Sequence, residues 1–261
     1  MNVKDLINSS TESLVIEQRL NKLFYLKPNI QEESDFVRLV LSKNGFDQHR
    51  AGLHASAIIV GENDFCYREQ VLSLHYKQIQ GHNVDVGLKR IFEEGNAIHE
   101  KWQRLFIRGE LGVKEDMDRS RFHDHYKLSF TPDACPLSIG KHQYVAEIKS
   151  VNTFQFKHMK SHPSGHKQLQ LYMHLTGINK GFVLAEDKNN QEFKVFVHDY
   201  NEDVVLPYVE RLEAIREYNS NLVHNKKMVK GICPDPNCKR ASKCAMKDAC
   251  FNIGMGRVKL E

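Results

Sequence analysis

The stretch from Leu128 to Val151, LSFTPDACPLSIGKHQYVAEIKSV, constrains this chain more than any other. It holds two short apolar-rich runs, SFTPDA and QYVAEIKSV, joined by PLSIGKH, which reads as a turn around Pro136 and Gly140. A core strand ordinarily shows alternating or continuous β-branched and aromatic residues. Asp133, Glu147 and Lys149 interrupt that pattern at the same end of both runs. Glu147 and Lys149 are two apart, so on a strand they share a face. If the runs pair, Asp133 comes beside Glu147, and two carboxylates and an ammonium meet in one pocket. Carboxylates that close repel unless a cation sits between them, and Mg²⁺ or Mn²⁺ prefers oxygen ligands. The expectation is a metal-dependent site that hydrolyses phosphodiesters. Taken alone, however, a Glu-x-Lys on a strand is more often half of a solvated face or a weak exposed ion pair.

What changes that balance is the company these residues keep. From Val86 to Phe106, Leu88, Ile91, Phe92, Gly95, Ile98, His99, Trp102, Leu105 and Phe106 recur at intervals of three and four, which predicts a helix with one apolar face. His99 lies in the middle of that face, where a histidine is more often a satisfied core residue than a ligand. Gly95 stands one turn earlier on the same face, and a glycine inside a helix costs about 1 kcal/mol relative to alanine, so its placement suggests a close approach by a neighbour. Downstream, GHKQLQLYMHLTG predicts a helix closed by Gly177, with Gln168 and Tyr172 four apart on one face.

The remaining elements frame this centre. Residues 2 to about 24 have broadly helical spacing that LKPN breaks, and a short helix from Asp35 to Leu41 is expected to be capped at Gly45. These first residues carry no evident chemistry and read as a helical extension, a candidate lid or protein-partner surface. ENDFCYREQVLSLHYKQ predicts a helix capped by Asn63 or Asp64, with Cys66 in its first turn and Arg68 close behind. Lys114 to His125 reads as a polar connection. A short helix is expected in SVNTFQFKHMK, a hairpin in KGFVLAEDKNNQEFKVFVHDY with its turn at Lys188, Asn189 and Asn190, and a long helix from about Glu202 to Leu222.

The C-terminal segment differs in kind. Between His224 and Lys247 seven cationic residues face only Asp235, and ICPDPNCKRASKCAMKDACF places Cys233, Cys238, Cys244 and Cys250 close together in a loop-rich context. Core packing accounts poorly for four thiols there, and a metal or iron–sulfur centre accounts for them well. Their spacings lack the CxxC pairs of a zinc ribbon. The chain has 261 residues with 41% hydrophobic and 27% charged content, enough for a real core, and its formal charge of +4 permits nucleic-acid binding through a local patch without demanding it. The first residues lack the pattern of a signal peptide, and no run reaches the length of a membrane span, so a soluble, cytoplasmic protein with reduced cysteines is expected.

Cys66 with Arg68, Gly95 with His99, Thr131-Pro132-Asp133, Glu147-Ile148-Lys149, Gln168 with Tyr172 and a terminal cysteine cluster follow one another in a single order. That order resembles the RecB-like branch of the PD-(D/E)xK nucleases, prokaryotic or phage, in the iron–sulfur form found in CRISPR-associated Cas-four exonucleases and the AddB nuclease domain. The resemblance covers roughly residues 60 to 251. It implies an α/β fold with a restriction-endonuclease-like core, a mixed β-sheet flanked by helices. Residues 1–58 would form a helical N-terminal extension and residues 59–261 the nuclease domain, its cysteine cluster lying within 227–251. It implies divalent-metal ligation by His99, Asp133, Glu147 and the carbonyl of Ile148, with Lys149 positioning the attacking water and Gln168 and Tyr172 supporting the site and touching the DNA backbone. It also implies a 4Fe-4S cluster held by Cys66, Cys244, Cys250 and either Cys233 or Cys238, with Cys135 left as a packing residue. The implied activity is Mg²⁺- or Mn²⁺-dependent digestion of DNA by an exonuclease that prefers single-stranded ends. A DNA-binding or CRISPR-adaptation-related accessory protein with the same fold, and a zinc-containing endonuclease, are the rival readings.

Overall fold

The protein is described by a computed structural model over residues 3–28, 31, 33, 35, 36, 52–76 and 86–252. In chain order its elements are α1 (Val3–Leu23), β1 (Leu53–His54), α2 (Ala55–Ile58), α3 (Tyr67–Ser73), α4 (Val86–Arg108), β2 (Arg121–His123), β3 (Leu128–Phe130), β4 (Ala134–Ile139), β5 (His142–Val151), α5 (Thr153–His158), α6 (Pro163–Thr176), β6 (Lys180–Asp187), β7 (Phe193–Asp199), α7 (Glu202–Asn225) and α8 (Lys247–Asn252). The chain divides into two units, one made of residues 1–45, 84–120 and 131–205, the other of residues 46–83, 121–130 and 206–261.

The first unit is a mixed four-stranded sheet, ordered β4-β5-β6-β7, with helices on both faces. β4 and β7 run antiparallel to their neighbours, while β5 and β6 are parallel and joined through α5 and α6. On one face, Tyr144, Ala146, Ile148, Phe182, Leu184, Val195 and Val197 meet Ile16, Leu20, Trp102 and Phe106 from α1 and α4. α1 thus contributes to the core, and it also covers the exposed edge of β7. The N–H groups of Val195 and Val197 donate to Glu17 Oε1 at 2.7 Å and Ser13 Oγ at 3.2 Å, so that edge is not left open for another strand. On the other face, α6 sits close to the sheet because Gly181 has no side chain: a Cβ there would stand 2.7 Å from Leu169 Cδ1 and 2.9 Å from the Val145 carbonyl oxygen. The turn predicted to close α6 is present, with Gly177 at φ +72°.

Several sequence expectations are revised. The run SFTPDA is not one strand: Leu128–Phe130 pairs with β1 and β2 in the small sheet of the second unit, and Asp133 immediately precedes β4. The expected turn PLSIGKH is instead mostly strand, with only Gly140 and Lys141 turning. Pro136 is accommodated because the register with β5 shifts between Ala134 and Leu137, on an edge strand where a missing N–H costs no ladder bond. The connection from Lys114 to His125 contains β2. Gly95 faces Ser150, and a Cβ there would lie 3.6 Å from its Oγ, an ordinary contact, so close approach does not require a glycine. Asp35 and Phe36 are helical, whereas residues 37–41 and Gly45 lie outside the described residues.

The second unit holds the sheet β1-β3-β2 and buries Leu53, Ile58, Phe65, Val71, Leu72, Leu128, Leu212, Ile215 and Met246. The Arg211 guanidinium, 4.3 Å from the centroid of the Phe65 ring, donates to the carbonyls of Ile58 and Val60 at 2.6 and 2.7 Å. No described helix is long and apolar enough to cross a membrane.

One consequence of the α6 packing is measurable. His166 of α6 and His198 of β7 lie ring to ring, 4.2 Å between centroids, and His166 Nδ1 and His198 Nε2 are buried without a hydrogen bond. Burial, and then the neighbouring His166, pushes His198 down to about 4. The folded protein therefore favours neutral His198, a preference fully expressed above the ordinary histidine value and lost as pH falls from about 6.5 to 4. Stability is predicted to drop by roughly 2–3 kcal/mol over that window. His198→Gln should flatten the profile of Tm against pH there, and parallel profiles for the two proteins would contradict the assignment.

Candidate active site and cysteine pocket

The middle of β5 delivers Glu147 and Lys149 to one face, as strand alternation requires, and the other groups converge on them from three elements. Asp133, at the entry to β4, accepts the Ile148 N–H through Oδ2 at 2.6 Å. In a strand the N–H and C=O of one residue point to the same side, so the Ile148 carbonyl faces the Asp133 side as well. His99 reaches in from α4, its Nδ1 3.0 Å from Asp133 Oδ1. Lys149 Nζ lies 2.6 Å from Glu147 Oε1 and donates to Gln168 Oε1 at 3.1 Å, and Gln168 Nε2 donates to the Tyr172 hydroxyl at 2.9 Å. All six side chains singled out in the sequence thus fall into one connected group.

The electrostatics of this group are strained. Burial, followed by the charge of Asp133, pushes the Glu147 carboxyl up to about 8, although Lys149 partly offsets this. Burial also acts to raise Asp133, but His99, the Ile148 N–H and Lys149 together hold it below the ordinary carboxylate range. Burial acts to lower His99 and Lys149, and the carboxylates facing them override it, so both lie above their ordinary values. The second oxygen of Glu147, Oε2, is buried and makes no hydrogen bond.

Among the described residues, no three His, Cys, Asp or Glu side chains close around a point at the spacing of a single bound ion. In this arrangement His99 and Lys149 hold the two carboxylates. The donor set nevertheless suits a hard divalent ion: two carboxylates, an imidazole, a strand carbonyl, and one buried oxygen with no other partner. Binding there would release the proton of His99, since an imidazole ligates only when neutral.

Two residues that sequence reasoning passed over support this centre. Gln103, one turn after His99 on the same face of α4, donates to the Asp133 carbonyl at 2.7 Å and holds that turn in place. A glutamine inside an apolar stripe beside Trp102 was the available signal. His162 caps α6, accepting the Gly165 N–H through Nδ1 at 3.0 Å, and burial followed by the charge of Lys149 keeps it below its ordinary value. Its place just before Pro163, Ser164 and Gly165 marked a helix start but gave no sign of nearness to Lys149.

The second centre lies in the other unit. Cys66 is at the N-cap of α3 and not, as expected, inside the first turn of a helix begun at Asn63 or Asp64, because Glu62–Asp64 forms a separate 3₁₀ turn. Cys66, Cys233, Cys244 and Cys250 line one cavity with Glu69, Arg240 and Ala241. Cys238 is outside it, its Sγ accepting the Ala241 N–H at 3.3 Å. None of the six cysteines is in a disulfide, and Cys135 is buried in β4 of the first unit. Two guanidinium groups brace the pocket: Arg68 donates to the Cys250 carbonyl at 2.6 Å, and Arg240 pairs with Glu69 at 3.1 Å and approaches Cys233 Sγ at 3.9 Å. Burial pushes the Cys244 thiol up to about 12, with the Glu69 charge adding to it. Four cysteines line one space beside two fixed cations, the kind of donor set that a group needing four thiolates and leaving net negative charge would use.

No family model matches the sequence, and no curated protein matches it. Solved structures with a similar course of chain include an alkaline exonuclease, LHK-Exo, from Laribacter hongkongensis, at 15% identity over 67% of this chain and 91% of that one, TM-score 0.45. The same exonuclease in complex with dAMP aligns at 14% identity over 67% and 91%, TM-score 0.49. SSO0001 aligns at 14% identity over 76% and 94%, TM-score 0.43.

Proposed function

We propose that this chain is a divalent-metal-dependent deoxyribonuclease, an exonuclease that prefers single-stranded ends, of the RecB-like PD-(D/E)xK kind. The observation that carries this reading is Glu147: a carboxylate buried beside Asp133, with one oxygen on Lys149 and the other on nothing. Such a group is costly in a fold that does not use it. His99, Asp133, Glu147 and the Ile148 carbonyl would hold Mg²⁺ or Mn²⁺, which when bound lowers the pKa of a water and neutralises the phosphate in an in-line displacement. Lys149 supplies a fixed positive charge where negative charge develops on the phosphate, and it orients the attacking water. Gln168 fixes the Lys149 ammonium, and the hydroxyl of Tyr172 fixes Gln168 in turn. Gln103 keeps the Asp133 turn in register with His99.

In the same reading, Cys66, Cys233, Cys244 and Cys250 hold a 4Fe-4S cluster that ties α3 to the C-terminal segment, a structural role suited to the reducing conditions of the cytoplasm. Digestion of end-labelled single- and double-stranded DNA by anaerobically purified protein is expected to require Mg²⁺ or Mn²⁺, to proceed from ends and to favour single strands. DNA binding without cleavage under either metal would instead favour an accessory role.

A further inference from the structure

The strand that carries Glu147 and Lys149 runs into α5, and the charge pattern of the chain changes there. Residues 148–185 contain no Asp or Glu, although the chain has 33, and they carry Lys149, Lys157, Lys160, Lys167 and Lys180 with four histidines. Register shows which way α5 faces. Lys149 pairs with Ala185, and Ala185 with Lys194, so the three residues project from one face of the sheet. Lys194 Nζ donates to the Phe156 carbonyl at 2.6 Å and lies 4.5 Å from the centroid of the Phe156 ring. α5 therefore packs on the face from which Lys149 projects.

Within α5 the two phenylalanines part company. Phe156 is the anchor, 4% exposed, while Phe154 is 76% exposed. A solitary surface aromatic is unremarkable. This one has the His158 ring one helical turn away, 5.0 Å between centroids with planes tilted by 58°, so the two rings are not stacked on each other. Lys157, on the same helix, and Lys160 and Ser161 just beyond its end are exposed as well. Asp187, which accepts the hydroxyl of Thr153 at the start of α5 at 3.0 Å, is buried.

We propose that Phe154 and His158 form a stacking platform for an unpaired nucleobase, with Lys157 and Lys160 holding adjoining phosphates, so that single-stranded DNA is laid along the face that carries Lys149. The occupant is single-stranded because a duplex covers the faces of its bases, whereas an unpaired base offers a π-face to any exposed ring and does so with little regard to sequence. The platform deepens the nuclease reading and rests on it.

The test uses the full chain carrying Glu147→Gln, so that the strand survives, and an oligodeoxynucleotide with 2-aminopurine near its end. Binding is expected to quench the 2-aminopurine. Phe154→Ala should weaken binding about ten-fold and abolish the quench, while Phe154→Trp restores both. Removing Lys157 or Lys160 should lower the slope of log K against log salt by about 0.7 each. Binding and quenching unchanged in Phe154→Ala would overturn the platform even if the parent protein digests DNA. A parent that cleaves no DNA, yet shows a quench that depends on Phe154, would overturn the nuclease reading and leave the platform standing.

Discussion

Glu147→Gln is expected to remove metal-dependent hydrolysis of DNA, by on the order of 10³-fold or more, and to leave the protein folded. Glutamine has the shape of glutamate but cannot give a divalent ion an anionic oxygen, and it cannot share a charge with Asp133. The substitution also relieves the repulsion that raises Glu147, so Tm in a chelating buffer should not fall. Lys149→Ala is expected to cost a comparable factor by a different route. It takes away the ammonium that faces both Glu147 and Gln168, and a metal titration should still saturate. Activity within a few-fold of the parent in either variant, measured as nucleotide release with Mn²⁺, would sink the assignment of this site. Loss of activity together with collapse of the circular dichroism spectrum in Lys149→Ala alone would leave the question to Glu147→Gln, whose isosteric replacement keeps it decisive.

The second large effect concerns the cysteines. Protein purified without oxygen is expected to be brown and to carry about four irons per chain. Replacing Cys66, Cys233, Cys244 or Cys250 by serine should each abolish the visible absorption. Cys238→Ser should retain it, because Cys238 is not among the residues that line the shared cavity. A colourless parent that contains zinc would replace the cluster with a single ion. Loss of iron in Cys238→Ser with retention in Cys233→Ser would reverse the choice between those two ligands.

Much of the fold was legible because its signals are local. The periodicity around Trp102 and Phe106, Gly177 at the end of α6 and the alternation on either side of Lys188 each depend on a few neighbouring residues, and each element is where those residues imply. The region from Ser129 to Ile139 misled for the opposite reason. Whether Leu128–Phe130 continues into β4 or pairs with β1 and β2 depends on partners far away in sequence, and Pro136 reads as a turn signal until the register shift that tolerates it is known. Gln103 went unnoticed because a polar residue in an apolar stripe has meaning only when its partner, the Asp133 carbonyl, is in view.

The candidate site divides in the same way. The sequence by itself determined which chemical groups were available: two carboxylates, an imidazole, a lysine two residues after a glutamate, a Gln-x3-Tyr pair and five cysteines in two places. Their order along the chain was enough to suggest a family. Only the tertiary structure decided that Lys149 bonds to Gln168, that one oxygen of Glu147 has no hydrogen-bond partner, and that Cys233 is among the residues lining the common cavity while Cys238 is not. The reason is physical. Composition and spacing set what a side chain can donate or accept, but burial and distance set the energy of doing so, and these depend on residues brought together by the sheet register and by the helices that pack on it.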